Sequence, residues 1–313
     1  RRPVKLFFSR EEEFIASPTR QPARVYIKQG AKKDGTITFR DVNVYLNNGG
    51  YTSWGATIPA VMMRTMTGHF RIPNVEFHSK AVYTNNPFAG SFRGYGNVQA
   101  TYVTATLMDK MAEELGMDPI EFRLKNAQKP GERTPQNSLL KTAALADCIK
   151  IGAEKTNFLE KHAANVAARE KPGRIRQGIG IATSIHNAGG AKIHKSDGCG
   201  TILTMDDYGR ATVITGASEI GQGIDAVITQ LVSEELGIPT SDVIIANNDS
   251  AIGPWDVGVH ASRTTFIAGN AARNAAVKAK QQILAAAARQ SNVSIDKLDL
   301  RGGHVVQKDN GVS

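Results

Sequence analysis

Three short loops rich in small residues each run directly into a helical pattern, and this arrangement constrains the fold more than any other feature. The loops cover residues 91–99, 216–223 and 260–265. A helix N-terminus presents unpaired N–H groups and a positive partial charge, and glycine lets a ligand approach the backbone. Such loops suit phosphates and other anions. Three in one chain predict a large anionic or highly polar ligand, although each alone is also typical of a simple turn.

Hydrophobic periodicity around these loops predicts both strands and helices. Strand-like alternation covers residues 24–29 and 36–46, with a turn at 33–35 between them. The sequence from Ser9 to Glu12 has the capping-box pattern of a helix start, and Asp118 followed by Pro119 marks another. Further strands are predicted at 75–84, 178–185, 199–205, 211–216 and 242–247, and further helices over 97–115, 142–168, 224–236 and 263–289. After Gly303 the end of the chain looks like half of a hairpin.

The chain changes character at residues 170–177, a basic segment that contains a proline and a glycine. This segment is typical of a linker. It predicts two lobes, residues 1–172 and residues 173–313, with no internal repeat visible. The expected fold class is therefore α+β, a mixed α/β architecture in two lobes.

Composition excludes several classes of protein. The 313 residues are 41% hydrophobic and 21% charged, as in a globular chain, and no apolar stretch approaches the roughly 20 residues that span a membrane. The two cysteines, Cys148 and Cys199, cannot hold an iron–sulfur cluster or a zinc site unaided. Few cysteines favour a reducing, cytoplasmic compartment, and a periplasmic location stays open. The net charge of +9 is compatible with nucleic acid, an anionic cofactor or an acidic partner subunit as a ligand. Because the basic residues are spread along the chain rather than massed, a solvated mixed surface is favoured over all three.

Known nucleotide-binding and hydrolase motifs do not match these loops. The spacing of Gly94, Gly96 and Gln99 lacks the third glycine of a dinucleotide fingerprint, and no acidic residue follows at the expected place. Neither a P-loop nor a Gly-x-Ser-x-Gly nucleophile elbow occurs. Glu219 could be a general base, yet any acidic residue is favourable at a helix N-terminus.

The three loops taken together carry a resemblance. Residues 91–96 resemble the Ala-Phe-Arg-Gly-Phe-Gly loop of the large, molybdenum-cofactor-binding subunits of the xanthine dehydrogenase/aldehyde oxidase family. Residues 219–223 are similar to that family's Glu-Met-Gly-Gln-Gly loop, and residues 261–271 to its third cofactor loop. The order and wide spacing of the loops agree too, so the resemblance covers nearly all of the chain. It implies an oxidoreductase whose fold is a two-lobed molybdenum-cofactor-binding domain.

The resemblance implies roles for individual residues. Arg93 and Ala261 match the residues whose backbone lies beside the molybdenum as outer contacts, since the family's metal is held by the sulfurs of its pterin. Gln222 matches a glutamine that hydrogen-bonds the pterin. The full set of cofactor-binding residues implied in this way is Phe92, Arg93, Gly94, Gly221, Gln222, Gly223, Ala261, Ser262, Thr264 and Thr265. Hydroxyls and helix N–H groups suit the phosphates and polar edges of such a cofactor.

The family's cofactor is molybdopterin, plain or as the cytosine dinucleotide, and its FAD and [2Fe-2S] clusters lie on partner chains. The implied partners are an iron–sulfur subunit, an FAD subunit and a small-molecule substrate, with no nucleic acid and no membrane; a dimer of heterotrimers is compatible with them. The family's general-base glutamate follows a Gly-Val-Gly sequence that is missing here, so the catalytic residue is unknown. We therefore expect an internal fragment or one part of a split subunit, with a non-catalytic homologue or assembly partner as the alternative.

The resemblance implies a reaction but only a broad substrate class. It implies oxidation of a carbon centre of an aldehyde, an N-heteroaromatic or an aryl-CoA with water-derived oxygen, or reduction of a hydroxyaromatic. Gly90 stands where copper-containing carbon monoxide dehydrogenases have a cysteine, which argues against that activity. Residues 60–64 show no clear match to the charged pair that orients purines. The amino-acid sequences of the loops, especially residues 216–223 and 262–265, are similar to those of bacterial enzymes such as 4-hydroxybenzoyl-CoA reductase.

Overall fold

The computed structural model describes residues 2–169, 173–186, 188–189, 197–247 and 249–308. Its contacts divide the chain into two compact units, unit 1 (Arg1–His186) and unit 2 (Asn187–Ser313). The predicted boundary after residue 172 lies earlier than this division, and linker residues 170–172 lie outside the described part. Residues 173–186 group with unit 1 because Ile179 and Ile181 pack against its interior. The predicted strand at 178–185 forms no ladder among the described residues.

Unit 1 is built around a three-stranded sheet. Strand β1 (Ala23–Ala31) pairs antiparallel with β2 (Ile37–Gly49), as the hairpin pattern predicts. Helix α2 (Ile58–Thr67), which the sequence patterns did not predict, then crosses over to β3 (Asn74–Tyr83), which runs parallel to β2. The core forms because alternate residues of β2 point inward, towards apolar residues of α2. Its buried members are Val42, Val44, Leu46, Ile58, Met62, Met66 and Ala100.

The other helices of unit 1 begin where local signals predict. Helix α1 (Arg10–Ala16) has the complete Ser9–Glu12 capping box. The long helix α3 (Asn97–Glu114) is followed by α4 (Pro119–Asn126), whose first amides donate to the Asp118 carboxylate. The helical pattern at 142–168 is two helices, α5 (Leu145–Thr156) and α6 (Phe158–Ala167), because Asn157 adopts a left-handed conformation between them.

Unit 2 combines a small sheet with two packed helices. Strands β4 (Thr201–Met205) and β5 (Ala211–Thr215) are antiparallel, and helix α7 (Ile224–Leu236) crosses over to β6 (Val243–Ala246), parallel to β5. Helix α8 (Thr264–Ser291) packs on α7 through a stripe of buried alanines, which lets the two backbones come close. Where the sequence predicted half of a hairpin, the structure has a complete one, in which β7 (Leu298–Arg301) pairs antiparallel with β8 (His304–Gln307). Residues 309–313 lie outside the described part.

The two units repeat one topology that is not visible in the sequence. Each has an antiparallel hairpin, a crossover helix, a third strand parallel to the second, and then a long helix. Residues 91–99 and 260–265 therefore occupy equivalent places, before the long helices α3 and α8. Residues 216–223 precede the crossover helix α7. Among the described residues no helix is long and apolar enough to cross a membrane.

Candidate functional site

The loop at residues 91–99 enters α3 through three consecutive left-handed residues. The φ angles of Gly94, Tyr95 and Gly96 are 94°, 49° and 91°. A side chain on Gly96 is excluded, since its Cβ would lie 2.7 Å from Cγ of Met62. The loop is closed by the Tyr95 N–H, which donates to the Phe92 carbonyl at 2.8 Å. Helix α3 begins without a side-chain cap, so its first amides suit an anion.

Two arginines stand at this loop without a counter-ion. The Nη2 atom of Arg20 donates to the carbonyl of Arg93 at 2.6 Å, and its guanidinium lies 4.9 Å from the centre of the Phe92 ring. Within the described part of the chain neither arginine forms an ion pair. The positive charge of the pair, beside an uncapped helix start, favours a negatively charged ligand. Sequence patterns missed Arg20, because 73 residues separate it from Arg93.

The loop at residues 216–223 already holds an anion of its own. The Glu219 carboxylate accepts N–H groups from Gly221 at 2.6 Å, Gly223 at 3.0 Å and Asp225 at 3.3 Å. These bonds, that of Gly223 first, lower the pKa of Glu219. Glu219 therefore caps α7, and its carboxylate takes N–H groups that an external anion would otherwise meet. Its negative charge disfavours a phosphate at these same amides, and the anion site expected at this loop stays a prediction.

Ile220, Gly221 and Gln222 form the exposed part of this loop. In this structure the Gln222 amide bonds within the loop: Nε2 donates to the Ser218 carbonyl at 3.0 Å, and Oε1 accepts the Ile220 N–H at 2.7 Å. Gly221 and Gly223 have φ angles of 94° and 84°, and no heavy atom lies within 4 Å of a Cβ built on either. The surface at these glycines is open to a ligand.

The loop at residues 260–265 reaches α8 through a second strained segment. Ala261 and Ser262 have φ angles of 50° and 51°, a conformation that costs a non-glycine residue about 1 kcal/mol or more. Ser262 and Thr265 are exposed, whereas Thr264 is buried. The two exposed hydroxyls can therefore meet a ligand, and the hydroxyl of Thr264 is the least accessible of the three. Helix α8 also lacks a side-chain cap.

The buried guanidinium of Arg263 holds this segment in place. It donates to Asp197 through Nε and to Asp256 through Nη1, at 3.1 Å from Oδ2. It also donates to the carbonyls of Gly258 at 2.9 Å and Gly198 at 2.8 Å. A Cβ on Gly216 would lie 2.9 Å from Cβ of Asp256. Asp256 therefore lies against the start of the 216–223 loop while it pairs with Arg263 of the 260–265 loop. Unit 2 thus brings two of the three loops together.

The described residues contain no group of three or more His, Cys, Asp or Glu side chains that could hold a metal ion. The carbonyl of Arg93 accepts from Arg20, and that of Ala261 accepts the Gly189 N–H at 2.8 Å. A carbonyl oxygen has two lone pairs, so each of these two can accept one further hydrogen bond.

These features define a class of protein: a two-unit α+β chain with a glycine-rich helix start in each unit and, in unit 1, two arginines that form no ion pair among the described residues. Family models described as "Molybdopterin cofactor-binding domain" match residues 1–127 and 152–313. The chain belongs to this family of molybdopterin cofactor-binding domains. Its relatives include a xanthine dehydrogenase molybdenum-binding subunit and an aldehyde oxidoreductase. The resemblance and the fold class expected from the sequence are confirmed.

Curated relatives and solved structures agree with this membership. The xanthine dehydrogenase molybdenum-binding subunit of Escherichia coli is 34% identical over 97% of this chain and 40% of its own length. Aldehyde oxidoreductase from Desulfovibrio gigas superposes with a TM-score of 0.74 at 27% identity, over 88% of this chain and 30% of that one. Quinoline 2-oxidoreductase from Pseudomonas putida shares the fold, with a TM-score of 0.81 at 21% identity over 96% and 40%. The chain spans about 40% of the length of its first curated relatives.

Proposed function

We propose that this chain is the molybdopterin-binding part of a molybdenum hydroxylase. The observation that carries the proposal is the pair of uncompensated arginines, Arg20 and Arg93, at a glycine loop in a chain of this family. The reaction we assign is oxidation of a carbon centre of an aldehyde, N-heteroaromatic or aryl-CoA with water-derived oxygen, or reduction of the corresponding hydroxyaromatic. Family membership favours this function over that of a non-catalytic assembly partner.

The residues present fit the cofactor. Arg20 has a buried nitrogen, Nη1, without a hydrogen-bond partner among the described residues, and the open surfaces at Gly221 and Gly223 allow close approach. The cofactor, when bound, supplies the redox chemistry of the enzyme.

We assign the chain's part in binding as follows. The loop from Phe92 to Gly94 in unit 1, and Ser262 and the helix start at Thr265 in unit 2, each take anionic or polar groups of the cofactor. Gln222 turns its amide from the loop to the pterin. Main-chain groups of Arg93 and Ala261 face the metal. Thr264 contributes through its main-chain N–H, because its side chain is buried.

The electrons need acceptors on other chains or segments. The two cysteines are too few to ligate a [2Fe-2S] cluster, which takes four ligands. We therefore propose an iron–sulfur subunit and an FAD subunit as partners, in an assembly such as a dimer of heterotrimers. The cofactor form, plain or cytosine dinucleotide, belongs to the same proposal.

Molybdenum and pterin content tests this function directly. The full-length polypeptide that contains these residues is produced in a host that makes the cofactor. Molybdenum is measured by mass spectrometry and pterin by the fluorescence of its oxidised form. We expect about one of each per chain. Protein that folds but contains neither metal nor pterin contradicts the proposal.

The role of Gln222 has its own test. Gln222→Ala removes the amide proposed to reach the pterin, so pterin content is expected to fall while the melting temperature changes little. The control is Gln230→Ala, which truncates an exposed glutamine on α7, the helix that follows the loop. Equal pterin content in Gln222→Ala and wild type rejects the assignment of Gln222.

A further inference from the structure

Only part of the Arg20 guanidinium is used within the described part of the chain. Nη2 donates to the Arg93 carbonyl at 2.6 Å, and the flat face of the group lies 4.9 Å from the centre of the Phe92 ring. Both contacts are to the loop of residues 92–94, which the proposed function assigns to the cofactor. A planar group held by one hydrogen bond and one ring contact has a fixed orientation.

The remaining nitrogen of this group is buried and unpaired. Among the described residues, Nη1 of Arg20 has no hydrogen-bond partner. It lies 3.8 Å from the position that a Cβ on Gly94 would take. A buried, unsatisfied donor on a charged group is costly, and native structures rarely keep one without a partner. We therefore expect a hydrogen-bond acceptor for Nη1 of Arg20 beside Gly94.

Two side-chain oxygens, those of Gln21 and Gln99, are also buried without a hydrogen-bond partner among the described residues. Gln21 is almost completely buried, and its Oε1 has no hydrogen-bond partner in the described part of the chain. The same holds for Oε1 of Gln99, whose Nε2 donates to the main-chain oxygen of Gln21 at 3.0 Å. Residues 20–21 and the start of α3 thus carry one unpaired donor and two unpaired acceptors.

We propose that Arg20 is a cofactor-binding residue that donates its Nη1 N–H to an acceptor atom of the ligand of the 92–94 loop. This inference rests on the proposed function. Arg20 is suited to the role because its Arg93 and Phe92 contacts hold the guanidinium in place before the ligand arrives, and because no carboxylate among the described residues neutralises it. The ligand group that it takes is anionic or a strong acceptor, such as a phosphate or carbonyl oxygen.

Two substitutions separate this role from that of a loop support. Arg20→Met keeps an apolar chain against Phe92 but removes every donor. Arg20→Lys keeps the charge and one nitrogen for the Arg93 carbonyl, but it loses the second arm of the fork. The control is Arg24→Met, which alters an exposed arginine on β1. Each variant is made in the full-length polypeptide, and its pterin and molybdenum contents are measured beside its melting temperature.

A second measurement reports loop order without the cofactor. Hydrogen exchange of residues 92–99 is compared between cofactor-free wild type and cofactor-free variants. We expect Arg20→Met and Arg20→Lys to weaken pterin binding about tenfold or more, the usual effect of losing a charge-assisted hydrogen bond. Exchange in Arg20→Lys is expected to match that of wild type, and Arg24→Met is expected to keep full cofactor content.

Three outcomes overturn the inference, and they differ from a failure of the proposed function. Wild-type pterin content in Arg20→Met shows that no donor is used. Wild-type content in Arg20→Lys shows that the second N–H is not used. Cofactor loss that follows faster loop exchange in both variants shows that Arg20 only supports the loop. In all three cases the wild type contains pterin. If the folded wild type contains none, the proposed function is wrong, and this inference, which rests on it, is wrong too.

Discussion

Replacement of Arg263 by methionine should destabilise unit 2 strongly, and the structure sets the magnitude. The guanidinium is fully buried and donates to two carboxylates, those of Asp197 and Asp256, which are themselves almost completely buried. Removing one partner of a buried ion pair costs about 3–5 kcal/mol, because the remaining charge keeps its desolvation penalty. The carbonyls of Gly198 and Gly258 also lose their donor. We expect the free energy of unfolding of unit 2 to fall by about 4 kcal/mol.

The two tryptophans make the measurement specific to one unit. Trp54 lies in unit 1 and Trp255 in unit 2, beside Asp256. When residues 1–313 are produced alone with Trp54→Phe, Trp255 is the remaining tryptophan, so its fluorescence during urea unfolding reports unit 2. This avoids treating the whole chain as one transition. Hydrogen exchange of residues 256–262 is expected to rise as well, since Arg263 holds this segment.

A matched control, Arg273, lies on α8, the helix that Arg263 precedes as its N-cap. Arg273→Met removes an exposed arginine that pairs with Glu235 at 3.3 Å, and a surface pair contributes under about 1 kcal/mol. Adding Asp256→Asn to Arg263→Met removes one of the uncompensated charges, so the double variant should be more stable than Arg263→Met alone. A loss below about 1 kcal/mol in Arg263→Met, or one equal to that of Arg273→Met, refutes this account of the segment.

Two further predictions concern the loops themselves. Gly96→Ala should lower the free energy of unfolding by more than about 2 kcal/mol, since its φ is 91° and its new Cβ would meet Met62. The control is Gly116→Ala, which has a φ of 64° and open space around it and should lose about 1 kcal/mol. Equal losses of the two variants in thermal melts contradict the steric reason. Backbone hydrogen bonds, that from Gly223 first, hold the pKa of Glu219 below its ordinary value. Its stabilising effect is therefore present above that ordinary value and disappears as pH falls through the lowered pKa. In Trp255-monitored unfolding between pH 7 and pH 3, the advantage of wild type over Glu219→Gln should therefore shrink on acidification; a constant difference is the adverse result.

Local signals in the sequence determined much of the secondary structure. The Ser9–Glu12 capping box and the Asp118 cap mark helix starts because each bond joins residues three or fewer positions apart. Gly94, Gly96, Gly221 and Gly223 were recognisable as loop residues, and all four have positive φ. The cap formed by Glu219 is local too, and its acidic side chain at a helix start was the signal for it.

Helix α2 and the division at residue 186 depended on packing instead. The segment Ile58–Thr67 lacks a capping side chain, and its apolar residues become informative only when β2 provides a face to cover. Residues 173–186 read as the start of the second lobe, yet apolar contacts of Ile179 and Ile181 attach them to the first. Periodicity describes one segment at a time, so it carries no record of the surface that the segment will meet.

The sequence by itself determined the family, the mixed α and β class and the glycine loops, because these depend on residues that are neighbours along the chain. Only the tertiary structure decided which polar groups meet there. It placed Arg20 on Arg93 across 73 residues and Arg263 on Asp197 across 66. It also buried Thr264, while Ser262 and Thr265 stay exposed. Such partnerships arise from chain crossings and burial, and no spacing in the sequence encodes them.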